Sequence, residues 1–325
     1  MATSELQLDL DTEQADSAWD ALNKAQKIGI ISHRHPDPDS IGSNLALRAV
    51  LANLGKSVDS LCIHNPPQTC QAIAGSANFQ NTFEPNDYDV LISVDCGSLS
   101  QVAFEKMSGN YFQGTFINID HHTSNNNFGK INLVYTKLSS TCEIIYQLLR
   151  YWQQPLNKQI ATCLLFGLYY DTGSFMHSNV TPQVLEMASD LIDNGASIQT
   201  VIENLYHNFN LKKYHLWGNT LQKVKITEKH TAVSVVTTED LNIFQASQED
   251  LGGLINYVSM AKESQFALMI NEDNHQQIKG SLRTSQDKIN LSELAGQFGG
   301  GGHRKASGFS FPGKIEKHTI WKINN

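Results

Sequence analysis

The sequence predicts an α/β protein: an N-terminal, mostly parallel sheet flanked by helices, then a helical connector and a smaller C-terminal α/β domain with a mixed sheet. Three observations carry this. Short apolar runs near 27–32, 57–63, 89–95 and 115–119 are separated mainly by helical patterns, as in βα units. Residues 196–222 then read as amphipathic helix. Beyond them, strand-like runs such as Thr231–Val236 and Phe266–Ile270 alternate with a helical pattern near 248–262. At 325 residues the chain exceeds a usual single domain. The expected boundaries are 1–195 for the N-terminal domain, 196–222 for the connector and 223–325 for the C-terminal domain.

Asp11 is placed to cap a first helix bearing Ala15, Trp19, Leu22 and Ala25, with Gln14 in the capping-box position. Ile28–Ile31 reads as the first strand, followed by a helix through Leu45, Leu47, Ala49, Val50 and Leu51. Val90–Val94 and Thr115–Ile119 read as further buried strands. Helices are expected near 140–152, 157–169 and 182–194, the last closed by a glycine C-cap at Asn194-Gly195. The apolar stretch from Ile160 to Asp171 cannot be assigned by periodicity alone. Val201, Ile202, Leu205, Leu211, Leu216 and Leu221 give the connector its apolar face. There is no internal repeat and no low-complexity tract.

A formal net charge of −8 and a pI near 5.8 argue against a protein that coats long nucleic acid by general electrostatic attraction. Small phosphorylated substrates remain compatible, because part of that charge lies where cations would bind. No apolar stretch approaches the ~20 residues of a membrane span, and no charged-then-apolar leader follows Met1. Cys62, Cys70, Cys96, Cys142 and Cys163 form no Cys-x-x-Cys pair and are odd in number, so reduced thiols and a cytoplasmic location are expected.

The chemistry concentrates at apolar-to-polar boundaries. His33-Arg34-His35-Pro36-Asp37-Pro38-Asp39 follows the first strand; Asp95 closes Val90–Val94; Asp120-His121-His122 follows Thr115–Ile119; Asp171 ends the apolar segment that begins at Ile160. Open α/β sheets bind ligands outside the carboxyl ends of their strands. Each acid alone has an ordinary reading: Asp37 and Asp39 as turn formers or a helix N-cap, Asp95 as a strand-end cap, Asp171 as a helix-end residue. Four such clusters in succession are not explained by four independent structural needs. His33, Asp37, Asp39, Asp95, His121 and Asp171 therefore stand as candidate metal ligands. Mixed imidazole and carboxylate donors suit manganese, iron or zinc better than calcium. The set is large enough for two ions, which would clamp the attacking and leaving oxygens of a phosphoryl displacement. Asp95 is then the natural bridge.

The second signal is the run Gly299-Gly300-Gly301-Gly302-His303-Arg304-Lys305. Four glycines would cost a helix about 1 kcal/mol each relative to alanine. They mark a place where backbone approaches something closely, and their N–H groups could form an anion-binding nest. A flexible linker is the alternative. Tyr169, Tyr170, Phe175 and Phe309 are candidate base-stacking groups, although aromatics beside a site are more often core.

With these motifs in place, the chain resembles the DHH phosphoesterases, and within them the stand-alone bacterial nanoRNase and 3′-phosphoadenosine 5′-phosphate phosphatase group, from about residue 20 to 315. The resemblance implies that His33, Asp37 and Asp95 hold one manganese ion, and Asp39, Asp95, His121 and Asp171 the other. It implies that His122 contacts the scissile phosphate or the nucleophile and that Asp120 orients the imidazoles. Ser281-Leu282-Arg283 and the glycine run look like the DHH-associated C-terminal domain, so Arg283, Gly300, Gly301, Gly302 and His303 would grip the nucleotide. Two departures stand out: Pro38 where relatives often have glycine, and Ser307 where a second alanine is usual.

The expected activity is two-metal hydrolysis of short RNA or DNA oligonucleotides or nucleotide phosphates, with closure of the glycine-rich segment limiting substrate length. Alternatives on the same site are cleavage of cyclic dinucleotides or linear pApA, a RecJ-like single-strand exonuclease, and an inorganic pyrophosphatase, against which the nucleotide-gripping segment speaks. A non-catalytic nucleotide-binding module is the reading from a different class; it would lack a ligand, and none is missing. The sequence leaves a homodimer open and points to no membrane partner.

Overall fold

The structure, a computed structural model, describes residues 10–71, 73–104, 111–206, 210–272 and 276–316. The chain divides into two compact units, Met1–Asn208 and Phe209–Asn325.

In the first unit the elements run α1 (Thr12–Lys24), β1 (Lys27–Ser32), α2 (Pro38–Asn53), β2 (Ser57–Leu61), β3 (Phe79–Gln80), β4 (Val90–Val94), α3 (Leu99–Val102), β5 (Thr115–Asp120), β6 (Ile131–Val134), α4 (Thr141–Tyr151), α5 (Lys158–Asp171), α6 (Pro182–Asp193) and α7 (Ile198–Tyr206). The six strands form one sheet in the order β3-β2-β1-β4-β5-β6, every pairing parallel. The chain builds outward from β1 in one direction through β2 and β3, then returns to β4 and builds the other way. The loops leaving β1 and β4 therefore diverge, which opens a crevice at their carboxyl ends.

All five residues of β4 and five of six in β1 are buried, as a parallel sheet covered on both faces requires. One face packs Ile28, Ile30, Ile92 and Ile117 against α1, α2, α4 and α5. The other packs Ile31, Leu61, Leu91 and Cys96 beneath Phe83, Phe104, Phe112 and Phe116.

Most expected elements are found close to their predicted places, and the differences have local causes. Asp11 caps α1 by accepting from the N–H groups of Glu13 and Gln14, but the Gln14 side chain accepts from Asn132 N–H on β6 instead of completing a capping box. The segment ending in Asp171 is helix α5. Strands β3 and β6 are two and four residues long and gave no sequence signal. Gly195, at φ 95°, closes the turn after α6.

The second unit comprises α8 (Leu211–Gln222), β7 (Lys225–Ile226), β8 (Thr231–Val236), α9 (Thr238–Ile243), α10 (Leu254–Val258), β9 (Phe266–Glu272), β10 (Gln277–Arg283), α11 (Leu291–Gly296), β11 (Gly301–His303) and β12 (Ala306–Pro312). Its mixed sheet has the order β11-β12-β10-β9-β8-β7, with β8 and β9 parallel and the other pairs antiparallel. The stretch expected as one connector holds two helices: α7 belongs to the first unit, while Leu216 and Trp217 of α8 join the core of the second. The helix expected near 248–262 is shortened to α10, because Gly253 at φ 87° interrupts it.

Candidate metal centre

Five acids and three histidines meet at the carboxyl ends of β1, β4 and β5. Asp37 is the N-cap of α2, its carboxylate accepting from Ser40 N–H at 3.0 Å, so the capping role holds while Asp37 Oδ1 also lies 3.8 Å from His33 Nε2. Pro38 occupies the first turn, where its missing N–H costs nothing. Asp39, one residue on, is fully buried. Asp95 follows β4 in the left-handed region, at φ 59°, a conformation aspartate tolerates better than most residues. Its two carboxylate oxygens face different partners: Oδ2 lies 3.4 Å from His33 Nε2, and Oδ1 lies 3.6 Å from both His121 Nε2 and His122 Nδ1. Asp171 at the end of α5 reaches His121 Nε2 at 3.1 Å.

Asp171 can come so near because two glycines let helices touch. A Cβ on Gly42 of α2 would meet the Cys163 carbonyl of α5, and a Cβ on Gly167 of α5 would meet Cys142 Sγ and the Asp39 side chain. Their absence brings the start of α2, the end of α5 and the start of α4 together. Ligand atoms of His33, Asp37 and Asp95 lie within 4.8 Å of one another, as do those of Asp39, His121 and Asp171, and those of Asp95, Asp120 and His122.

The two kinds of histidine differ in orientation. The His33 Nδ1–H donates to the Arg34 carbonyl at 2.8 Å, leaving Nε2 turned toward the carboxylates. His122 does the reverse: its Nδ1 bonds Asp120 Oδ1 at 2.7 Å. Asp120 is completely buried and takes a second bond from Asn125 Nδ2 at 2.6 Å. Asn125 in turn accepts from Asn118 Nδ2, whose Oδ1 accepts from Ser93 Oγ on β4.

Residues 27–168 match the DHH family, N-terminal domain, and residues 228–322 match the DHHA1 domain. A bifunctional oligoribonuclease and PAP phosphatase, NrnA, from Thermus thermophilus is 30% identical over 88% of this chain and 84% of its own. The chain belongs to the DHH family. The protein of the same name from Bacillus subtilis is 27% identical over 86% of this chain and 88% of its own. Among solved structures, an exopolyphosphatase-related protein from Bacteroides fragilis superposes with a TM-score of 0.87 at 27% identity, covering 95% of this chain and 94% of the other. RecJ from Thermus thermophilus, solved with Mn2+, shares the fold at a TM-score of 0.55 and 16% identity, covering 94% of this chain and 53% of its own.

The electrostatics of this DHH protein's cluster ask for cations. Among the described residues, Asp37, Asp95 and Asp171 form ion pairs with histidines and none with lysine or arginine. Burial, and then the charges of Asp95 and Asp171, raise the Asp39 carboxyl well above its usual range; burial also raises Asp171, against the pull of His121. Burial opposes charge on Asp95 too, but His121 and His33 hold it well below the ordinary carboxylate value. Those imidazoles are held well above an ordinary histidine because their acidic neighbours outweigh burial. Without a metal, the folded site therefore favours protons on His33, His121, Asp39 and Asp171. Divalent ions would displace them, as metal binding at such donors does. The donor set thus fits metal ions.

Sequence reading missed several supports: the glycines at the α2–α5 contact, Asn125 and Asn118 behind Asp120, and Thr141 and Cys142 at the start of α4. Only Asn125 had a usable signal, being close in sequence to the Asp-His-His run.

In the second unit, Arg283 ends β10 opposite Ala306 of β12, and Ala306 in turn stands opposite His303 of β11. Arg283 and His303 therefore occupy one row across three strands and share a face of the sheet. Arg283 Nε donates to Asn256 Oδ1 at 3.2 Å. The glycine run closes helix α11 and enters a strand: Gly299 and Gly300 N–H donate to the Gly296 and Ala295 carbonyls, and Gly301–His303 form β11. A Cβ on Gly300 would strike the Gly308 carbonyl and Phe309, and Gly302 sits at φ 133°, so both need glycine. Lys305 pairs with Asp287 at 2.6 Å and Arg304 donates to the Asp287 carbonyl. Ser307 Oγ donates to the His303 carbonyl at 2.6 Å, a tie that alanine there would lack. Among the described residues no helix is long and apolar enough to cross a membrane. The five cysteines are buried and free.

Proposed function

We propose that this chain is a two-metal phosphoesterase that hydrolyses short oligonucleotides of dinucleotide size and 3′-phosphoadenosine 5′-phosphate. The observation that carries the proposal is the meeting of Asp37, Asp39, Asp95 and Asp171 with the Nε2 atoms of His33 and His121 in a DHH-family chain. The relatives that carry the oligoribonuclease and PAP phosphatase name match across both units' lengths.

In this reading His33, Asp37 and Asp95 hold one ion, Asp39, Asp95, His121 and Asp171 the other, and Asp95 is shared. The mixed donors favour manganese. The ions supply Lewis-acid stabilisation of phosphate charge and lower the pKa of water. His122, its Nδ1 engaged by Asp120, presents Nε2 to a phosphate oxygen and stabilises charge developing there. Asp120 and Asn125 hold that ring in place. Arg283 and His303, from one sheet face, with the Gly300-Gly301-Gly302 backbone, bind the nucleotide portion of the substrate.

The test is a substrate panel with manganese: dinucleotide RNA, longer RNA, single-stranded DNA, cyclic dinucleotides, pApA and 3′-phosphoadenosine 5′-phosphate. The expected result is fastest turnover of dinucleotide RNA and 3′-phosphoadenosine 5′-phosphate. Equal or faster turnover of long RNA, single-stranded DNA or cyclic dinucleotides would overturn the substrate assignment, and no hydrolysis of any would overturn the activity.

A further inference from the structure

Thr141 is fully buried at the first residue of α4 and touches two acids of the cluster at once. Its backbone N–H donates to Asp39 Oδ2 at 2.7 Å, and its hydroxyl donates to Asp95 Oδ1 at 3.2 Å. Cys142 N–H takes the other Asp39 oxygen at 3.0 Å. The hydroxyl is not needed to start the helix. Ser140 is the N-cap, its Oγ accepting from Glu143 N–H, and Glu143 reaches back to accept from both Ser139 N–H and Ser139 Oγ at 2.6 Å. The start of α4 is therefore satisfied without the Thr141 side chain, and among the described residues the hydroxyl bonds Asp95.

We propose that Thr141 is a positioning residue that sets the rotamer of Asp95 relative to Asp39 and so fixes the spacing of the two ion sites. Four features support this. Asp95 stands in a left-handed backbone conformation after a strand end, where a side chain lacks the restraint of regular structure. Its Oδ1 and Oδ2 must face different histidines, His121 and His33, so rotation of the carboxylate by a few tens of degrees would lose both. Among the described residues, Thr141 is the one uncharged side chain that donates to Asp95. Because the same residue holds Asp39 through its backbone, the distance between the two acids is set by a single rigid helix turn. Outer partners of this kind change metal affinity by about 10–100-fold when lost.

The inference rests on the two-ion reading, and the test separates the two. Thr141→Val keeps shape, helix start and backbone N–H but removes the hydroxyl; Thr141→Ser restores it. Manganese stoichiometry and affinity are measured by calorimetry, exchange coupling between two bound Mn2+ ions by electron paramagnetic resonance, thermal stability of the metal-free proteins by calorimetric unfolding, and kcat with a dinucleotide. The expected result is a metal-free Thr141→Val protein that melts near the parent, binds the second ion about 10-fold or more weakly and shows a weakened coupled signal, with Thr141→Ser close to the parent in every readout. A parent with two coupled ions and a Thr141→Val variant unchanged in affinity and coupling would overturn the positioning role alone. Equal losses in the valine and serine variants would overturn it as well, because a hydroxyl alone would then restore nothing and the tight fit of the threonine side chain, not its bond to Asp95, would be what matters. A parent that binds fewer than two ions would overturn the two-ion reading itself, and this inference with it.

Discussion

The two units handle their acids in opposite ways. In the second, three acids are each matched by donors: Asp240 accepts from Lys223, Asn219 and the Thr237 N–H, Glu272 from the N–H groups of Thr238 and Ile315, and Asp287 from Lys305. Those carboxyls are all held below the usual range. In the first, buried acids at the strand ends face one another and histidines, and Asp39 and Asp171 are raised. A fold selected only for stability would not leave like charges together in its interior. The contrast locates the chemistry: the first unit carries an electrostatic cost that a bound cation relieves, and the second is a settled scaffold.

The largest effect should come from the acid proposed to be shared between the two ion sites. Asp95→Asn removes the charge that His33, His121 and Thr141 all converge on. Dinucleotide hydrolysis is expected to fall by more than about 100-fold, the upper end for loss of an outer partner, with the circular dichroism spectrum unchanged. Manganese content is measured on the same sample. Near-normal turnover with both ions bound would break the proposed division of ligands.

A smaller, substrate-dependent effect is expected from the second unit. Arg283→Ala or His303→Ala removes one member of the row across β10, β12 and β11 while leaving the acids of the first unit intact. Loss of a charged hydrogen bond should cost about 1.5–3 kcal/mol in kcat/KM on a dinucleotide. On bis-p-nitrophenyl phosphate, which has no nucleotide to hold, the change should be small. Equal losses on both substrates would show that this face does not read the nucleotide.

What was legible in the sequence follows the same divide. β1, β4 and β5 announced themselves because a parallel strand buried on both faces is an unbroken apolar run, and an acid or imidazole directly after it needs no knowledge of the fold to be noticed. His33, Asp95 and His121 were noticed this way, Asp37 and Asp39 in the turn that follows β1, and Asp171 at the end of an apolar segment that is helix α5; the structure brings their side chains near one another. The supports were not legible, since they depend on contacts between elements far apart in sequence. Gly42 and Gly167 look like ordinary helix-interior glycines until α2 and α5 touch. Thr141 is about 100 positions from Asp39 and is connected to it only once α4 lies across the strand ends. The glycine run misled in a different way. Its composition signals close backbone approach, which is correct, but the approach of Gly300 is to Gly308 and Phe309 of the same unit, and the turn that ends α11 uses part of the backbone that a free nest would offer.

The finest test of the comparison is a pair of substitutions with opposite signs. Asp171 is raised in the folded protein, by burial first, so in the absence of metal its ionisation destabilises the fold: the stability present below the unfolded carboxyl value is lost as pH rises through the folded one. Asp240 is lowered, because Lys223 and the Thr237 N–H outweigh burial, so its contribution is present at neutral pH and is lost as pH falls through the folded value, below the ordinary carboxyl pKa of about 3.9. Metal-free Asp171→Asn should therefore melt a few degrees above the parent at neutral pH, and the advantage should vanish or reverse when manganese is added, since the carboxylate is then wanted. Asp240→Asn should melt below the parent at neutral pH with or without manganese, and the gap should close on acidification. Melting curves of the full chain at neutral and acidic pH, with chelator and with manganese, decide it. A metal-independent loss of stability in Asp171→Asn would mean that the first unit's acids are matched as fully as the second's, and the contrast between the units would fail.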